Sequence, residues 1–407
     1  MLNKYISQIL IILTSLLALS CSSKKVNPGK SIDQMNWQEI VQQAQGQTVN
    51  LMMWQGDQNI NQYMNQYVKP RLKEKYDINL EIAGGQGSTI ASILRSELDA
   101  GVEQSELDMM WINGETFYQL RQLDALYGPF TSKLPNSKYV DYDDPFIKYD
   151  FQQKIDGYEC PWGNVQFVLI YNSRHVEHPP RDMQELAKFV KRYPGKFTTS
   201  NDFTGMTLLK SFLVELAGPH TLDGSFNPDL YATYSSLLWK YLNRIKSDFW
   251  KQGETFPSGV AQMHQLYANG ELYITMSNND AEVDNKVEDG LFPKSSRGYV
   301  LDHGTIRNSH YMGIAKYAVH KAAAMVVANF LISPEAQYQK LKPDVWGDGT
   351  VLNTGSLPGN WPEKFRQISK HKRAPSKEVL HKHDLQELAP EYMIHLYEDF
   401  RTHVIQH

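Results

Sequence analysis

The chain has 407 residues, of which 41% are hydrophobic and 12% aromatic, and its 41 basic and 45 acidic residues give a net charge of −4. This length is enough for two domains with apolar cores of their own. Because neither charge sign forms a long run, the composition excludes the basic surface that a nucleic-acid-binding protein needs.

The first 21 residues have the order of a secretory signal that ends at a cysteine. A positive start over residues 1–4 precedes an apolar stretch over residues 6–19, and Cys21 follows. The stretch is shorter than the roughly 20 residues that span a bilayer. It therefore predicts a signal peptide over residues 1–20 and lipidation of Cys21, as in bacterial lipoproteins. An ordinary signal peptide with an incidental cysteine is the alternative.

Lipidation of Cys21 leaves Cys160 as the remaining cysteine, so no intramolecular disulfide is expected. We expect Cys160 to be a buried, small apolar residue rather than a nucleophile. Residues 21–35 are polar and contain proline and glycine, which is typical of a flexible tether.

From residue 36 onward, a strand, a loop and a helix follow one another three times. The predicted strands cover residues 49–54, 78–82 and 107–112. This alternation predicts an α/β fold with a parallel sheet and right-handed crossovers. Ligands of such sheets bind beyond the carboxyl ends of the strands. The three loops at these ends supply the first candidate ligand-binding residues: Trp54, Gln55, Asp57, Gln86, Ser88, Thr89, Asn113 and Glu115.

The loop over residues 84–89 places backbone N–H groups and two hydroxyls at the start of a predicted helix. Such a helix start suits a carboxylate or a phosphate, although a plain cap and turn explains the same residues. No Gly-Lys-Ser/Thr follows, so the loop is not a P-loop.

The second half of the chain predicts a further α/β lobe, reached by extended crossovers. An apolar strand over residues 166–172 follows a predicted turn, Pro161-Trp162-Gly163, and another strand over residues 272–276 leads to polar residues 277–280. Strands over residues 297–301 and 309–315 come before a helix over residues 322–331. The candidate ligand-binding residues from this half are Trp162, Gln166, Asn278, Asp280 and Asn308.

Tryptophans and carboxylates recur together among these candidates. Aromatic faces beside acids suit a cationic solute, such as a thiamine-like or polyamine-like molecule. The alternative is that the tryptophans pack in the core or at a hinge and the acids are solvated. Six histidines crowd the last 40 residues, but they lack a zinc motif. We expect a solvated, partly helical tail there and no metal site.

Several segments resemble one family in the same order along the chain. Residues 166–172, before a Pro-Pro turn, resemble the crossover strand of bacterial extracellular solute-binding proteins, and residues 330–337 resemble the helix after that family's return crossover. Residues 108–115 and 37–49 are similar to the narrower YnjB-type subfamily. The resemblance covers residues 37–361.

The resemblance implies a two-lobed periplasmic-binding-protein type II fold with hinge crossovers, and delivery of a small solute to an ABC permease and its ATPase. It implies neither a catalytic residue nor a cofactor. We expect a monomer, exported and held to a lipid bilayer by its N-terminal anchor. An exported hydrolase that uses the carboxylate pair Asp57 and Glu115 is the alternative function.

The expected segments follow from the pattern and the resemblance together. They are a signal peptide (1–20), a tether (21–35), lobe 1 (36–165), lobe 2 (166–305), a return to lobe 1 (306–355) and a C-terminal helical segment of unassigned lobe (356–407).

Overall fold

The computed structural model describes residues 30–368 and 372–406. Cys21, the signal peptide and most of the tether lie outside these residues, as do His371 and His407. The chain divides into two units. The first ends at Asn36, and a single 3₁₀ turn, Ile32–Gln34, is described in it; the second, from Trp37 onward, contains both sheets.

The strands form a large sheet, a small sheet and one short hairpin. In chain order they are β1 (Thr48–Met53), β2 (Asn79–Gly84), β3 (Met109–Ile112), β4 (Tyr149–Asp150), β5 (Gln153–Lys154), β6 (Glu159–Gln166), β7 (Val168–Asn172), β8 (Ile274–Ser277), β9 (Ser296–Tyr299), β10 (Thr305–Ile314) and β11 (Asp384–Leu385).

The helices cover both sheets. They are α1 (Trp37–Ala44), α2 (Gln58–Gln62), α3 (Lys69–Tyr76), α4 (Gly87–Asp99), α5 (Gly114–Gln122), α6 (Pro145–Lys148), α7 (Met183–Arg192), α8 (Phe203–Ala217), α9 (Pro228–Ile245), α10 (Val260–Ala268), α11 (Glu282–Glu288), α12 (Lys321–Leu331), α13 (Pro334–Leu341), α14 (Trp361–Arg366), α15 (Lys377–Lys382) and α16 (Pro390–Phe400). A π-helical turn, Tyr63–Val68, joins α2 to α3. Within the described ranges, no helix is both long enough and apolar enough to cross a bilayer.

The large sheet has the order β11-β10-β3-β1-β2, with β6 also paired to β10. Strand β1 runs parallel to β2 and β3, as the strand–loop–helix pattern predicted, so the loops after these strands emerge at one edge. Strand β10 is antiparallel to both β3 and β6. The α/β fold class is confirmed, and the sheet is mixed rather than purely parallel.

The small sheet has the order β8-β7-β9, and both neighbours run antiparallel to β7. The chain passes from the large sheet to the small one through Phe167, the single residue between β6 and β7, and returns between β9 and β10. The side-chain amide of Gln166 donates to Thr305 Oγ1 and to the backbone oxygens of Leu380 and His383, each at 3.1 Å. Gln166 therefore joins both crossovers to the C-terminal segment.

The predicted turn Pro161-Trp162-Gly163 is wrong, because these residues lie inside β6. Strand β6 pairs only with β10, and the register shifts between His310 and Tyr311, beside Pro161. An edge strand and an irregular register both tolerate a proline that cannot donate to the ladder. The predicted strand over residues 166–172 is correspondingly divided at Phe167.

The C-terminal tail is partly helical, as expected, but the prediction that it is solvated is wrong. Helix α16 places Tyr392, Met393, Leu396 and Phe400 in the core that packs on the small sheet. The burial of these side chains outweighs the polar character of the surrounding residues. Among the described residues, no group of three or more His, Cys, Asp or Glu side chains is placed to hold a metal ion. Cys160 is buried and burial raises the pKa of its thiol, as expected for a packing residue.

Candidate functional site

A cavity of about 600 Å³ lies between elements of the large sheet and elements of the small one. The loops after β1, β2 and β3 form one wall, and the start of α8, the end of β8 and helix α11 form the facing wall. Its volume is within the range of small-molecule sites. The edge that the strand pattern predicted is therefore one side of this cavity.

Eight of the thirteen candidate residues lie on the wall of this cavity: Trp54, Asp57, Gln86, Ser88, Asn113, Glu115, Asn278 and Asn308. The other five do not: Gln55, Thr89, Trp162, Gln166 and Asp280. Gln55 and Thr89 follow the correct strands but are exposed outside the cavity. The side chain of Gln166 is hydrogen-bonded at the crossover. The backbone N–H of Gln166 donates to Asp280 Oδ1 at 3.2 Å.

Trp162 is fully buried in β6, and Trp111, near the end of β3, lies on the cavity wall instead. Trp111 also contacts His310, with ring centroids 4.9 Å apart. Further along the wall lie other rings that the sequence reasoning missed: Phe203, Trp346 and Tyr397. Trp111 had a usable signal, because it stands two residues before the predicted ligand residue Asn113; Trp346 lies in a loop that gave none.

Most carboxylates of the wall are already engaged by the protein. Asp202 caps α8 through Gly205 N–H and also accepts from Val260 N–H at 2.8 Å. Glu282 accepts from the Ser277 hydroxyl. Asp348 forms an ion pair with Lys340 and a hydrogen bond of 3.1 Å with His310 Nε2. These three acids therefore have donors before any solute enters.

Asp57 is engaged as well, by a lysine from the opposite wall. Its Oδ1 accepts the Ile60 N–H at 3.0 Å and so caps α2, while its Oδ2 bonds to Lys286 Nζ. Burial alone would raise the pKa of Asp57, but the ammonium of Lys286 and these hydrogen bonds hold it below the ordinary value. Asp57 is therefore an ionised partner of Lys286, and sequence reasoning gave no sign of this pair.

Glu115 differs from these acids. It lies in the first turn of α5, and its Oε2 is buried without a hydrogen-bond partner among the described residues. Desolvation raises the pKa of Glu115 to about 7, although a hydrogen bond from its own backbone N–H and the nearby Lys210 oppose the shift. Lys210 itself is bound to Glu387, at 2.5 Å. The cavity wall thus holds a carboxyl group that has one oxygen, Oε2, without a donor from the described residues and a pKa near neutral.

The geometry gives the hydrolase alternative no support. A carboxylate pair for hydrolysis needs one group that is free to act as base or nucleophile. Asp57 is instead held by Lys286 and by the N-terminus of α2. The wall is suited to binding a small molecule through aromatic faces, amides and the carboxyl group of Glu115, whose Oε2 has no donor among the described residues.

A family model described as bacterial extracellular solute-binding protein matches residues 66–364. Protein YnjB of Escherichia coli (strain K12) is 35% identical over 336 residues, which cover 81% of this chain and 86% of YnjB.

Solved structures share the fold at much lower identity. The TpPotD lipoprotein of Treponema pallidum has a TM-score of 0.65 at 13% identity, covering 88% of this chain and 100% of that one. A putative spermidine/putrescine ABC transporter protein from Listeria monocytogenes has a TM-score of 0.62 at 15% identity, covering 87% and 98%. AfuA of Actinobacillus pleuropneumoniae, solved with fructose-6-phosphate, has a TM-score of 0.62 at 12% identity, covering 88% and 98%.

These solved structures confirm the periplasmic-binding-protein type II fold, and the match to YnjB agrees with the subfamily resemblance. Family model and relative both span most of the chain, so the chain belongs to the bacterial extracellular solute-binding proteins.

Proposed function

We propose that this protein captures a small cationic solute in the cleft and delivers it to an ABC permease and its ATPase. The candidate solutes are thiamine-like and polyamine-like molecules. In this proposal the second lobe covers residues 166–305, so the chain changes lobe at residues 165/166 and again at residues 305/306. The change of sheet at Phe167 and the return between β9 and β10 support that division, and hinge motion at such crossovers is a known route to closure around a ligand.

The observation that carries the proposal is the buried Oε2 of Glu115, which has no donor among the described residues. A buried carboxylate without a donor is costly, and a cation placed against it removes that cost by pairing with the charge. Trp54 and Trp111 on the same wall offer ring faces that attract a cation. The N-terminus of α4, with Gln86 and Ser88 on the wall, offers donors to an acceptor group of the same solute.

The relatives are consistent with this class of solute without selecting it. One protein of the same fold is described as a putative spermidine/putrescine ABC transporter, whereas another was solved with fructose-6-phosphate. A shared fold at such low identity carries no ligand with it. The assignment therefore rests on the residues of this cavity.

The proposal also includes a lipid anchor at Cys21 and a location outside the cytoplasmic membrane. The signal-like order of residues 1–21 and the membership of an extracellular family support it. A tethered receptor remains close to its permease while its lobes open and close. The polar residues 22–31 would supply the reach of that tether.

The test is calorimetric titration of the mature chain with a panel of solutes: thiamine, putrescine and spermidine as cations, and fructose-6-phosphate and sulfate as anions. We expect micromolar or tighter binding of at least one cation and none of the anions. Glu115→Gln should weaken that binding by about 10- to 100-fold, which corresponds to roughly 1.4–2.8 kcal/mol.

Glu103→Gln is the matched control, because Glu103 is exposed and lies outside the cavity. It removes one negative charge from the same chain and should leave the affinity unchanged. Binding of an anion alone, or a cation affinity that Glu115→Gln and Glu103→Gln change equally, would overturn the proposal.

A further inference from the structure

Lys286 places its ammonium group among three side-chain oxygens on the cavity wall. Its Nζ bonds to Asp57 Oδ2, lies 3.0 Å from Asn59 Oδ1 and lies 3.6 Å from Glu282 Oε1. Lys286, Asp57 and Asn59 are between 5% and 7% exposed. All four residues line the cavity. This arrangement of oxygens is one that an alkylammonium ion of a solute would also take.

The ammonium and its main partners come from opposite walls of the cleft. Asp57 and Asn59 follow β1 of the large sheet, whereas Lys286 lies on α11. Helix α11 is fixed to the other side, because Val283 and Val287 belong to the core that packs on the small sheet. The pair therefore forms only while the two walls are together.

Lys286 stays charged in this position. Burial works against the ammonium form, but the carboxylates of Glu282 and Asp57 raise the pKa of Lys286 above its ordinary value. Displacement of this group by a solute would leave a buried ammonium without its carboxylate, a change that is strongly unfavourable in protein interiors.

We infer that Lys286 is a specificity-determining residue, which fills with its own ammonium group the subsite that the second ammonium of a diamine would occupy. Glu115 is then the carboxyl group left for the solute. This inference rests on the proposed function. It narrows the solute class to molecules with one cationic centre, and it predicts weaker binding of diamines and longer polyamines.

Chemical rescue tests whether the subsite accepts an alkylammonium ion. Lys286→Ala removes three methylene groups and the ammonium, which together have the shape of propylammonium. We expect propylammonium to raise the melting temperature of this variant by about 2–4 °C through ligand linkage. It should leave the wild type and Asp57→Asn/Lys286→Ala unchanged, and neutral propanol should rescue none of them.

Calorimetry of the same variant tests selectivity. The wild type should bind a monocation at least tenfold more tightly than putrescine, and Lys286→Ala should gain about tenfold in putrescine affinity. Asn59→Asp is a second variant that keeps the lysine and its packing. Its added carboxylate should also raise the affinity for putrescine, because the subsite then has a further negative charge that can pair with an ammonium group of the solute.

The outcomes separate this inference from the function on which it rests. Absence of propylammonium rescue in folded Lys286→Ala, or unchanged putrescine affinity in folded Lys286→Ala and Asn59→Asp, would overturn the role of Lys286. If Lys286→Ala folds only when propylammonium is present, that recovery is itself the rescue. Rescue in a protein that binds no free cation would support the filled subsite and overturn the proposed function.

Discussion

The rings of Trp111 and Trp162 meet edge to face, with centroids 5.1 Å apart and planes at 85°. Trp111 lies on the cavity wall, whereas Trp162 is fully buried behind it in β6. Trp346 also packs on Trp162, at 5.3 Å. One wall of the cleft is thus supported by a buried tryptophan that does not line the cavity.

Trp162→Ala should destabilise the protein more than it changes solute contacts. Truncation of a fully buried aromatic side chain costs about 3–5 kcal/mol of unfolding free energy, and the rings of Trp111 and Trp346 lose their support. Denaturant unfolding followed by circular dichroism measures the change. Trp162→Phe retains a ring and should cost less than half as much. Equal stability of the alanine variant and the wild type would contradict the packing role.

The affinity for a cation should depend on pH through Glu115. The pKa of this carboxyl group is raised to about 7, and a cation binds the ionised form. Below that pH a proton must leave before the cation binds, so affinity should fall by about tenfold per pH unit, and above it affinity should level off. Calorimetry between pH 5 and pH 8 measures the profile. Glu115→Gln should flatten it, and a flat profile in the wild type would argue against this role for Glu115.

Removing one partner of the Lys340–Asp348 ion pair should strongly lower the free energy of unfolding. Both side chains are at most 1% exposed, and Lys340 Nζ also donates to Gly349 O at 2.7 Å. Lys340→Met leaves the buried Asp348 with its hydrogen bond to His310 but without its ammonium partner, which should cost about 3–5 kcal/mol of unfolding free energy.

Lys340→Met/Asp348→Asn should recover part of this loss, because it removes both charges. Lys191→Met is the control, since Lys191 is exposed on α7, and it should change the unfolding free energy by less than about 0.5 kcal/mol. A double variant less stable than Lys340→Met would contradict this account of the pair.

Cys21→Ser should release the protein from the membrane. Without a thiol the predicted acylation has no attachment site, and a single residue change then moves the protein from the membrane fraction to the soluble one. Cell fractionation and fatty-acid labelling measure this, with Cys160→Ser as the matched control. Membrane retention of the Cys21→Ser protein would contradict the anchor.

The sequence predicted the cavity's first wall correctly because parallel strands bring their carboxyl ends to one edge. Trp54, Gln86 and Asn113 needed only the strand–loop–helix pattern to be placed together. The pattern did not predict which residues after each strand face the cavity. Ser88 and Thr89 are adjacent in the first turn of α4, yet Ser88 lines the wall and Thr89 does not, and the strand–loop–helix pattern does not distinguish them.

The sequence did not predict contacts between segments that are far apart along the chain. Asp57 and Lys286 are 229 residues apart, and each is an ordinary surface-type residue in its local pattern. By contrast, the packing of α16 left a signal that was missed. Tyr392, Leu396 and Phe400 recur at four-residue spacing, which is the apolar face of a buried helix.

The proposed solute is a small cation held in the cleft against Glu115. Mass spectrometry of small molecules released from the protein, purified natively from its own host, identifies what the cleft binds. We expect a nitrogenous monocation that is retained by the wild type and by Glu103→Gln and is lost from Glu115→Gln. Recovery of an anion such as a sugar phosphate, retained equally by all three proteins, would contradict it.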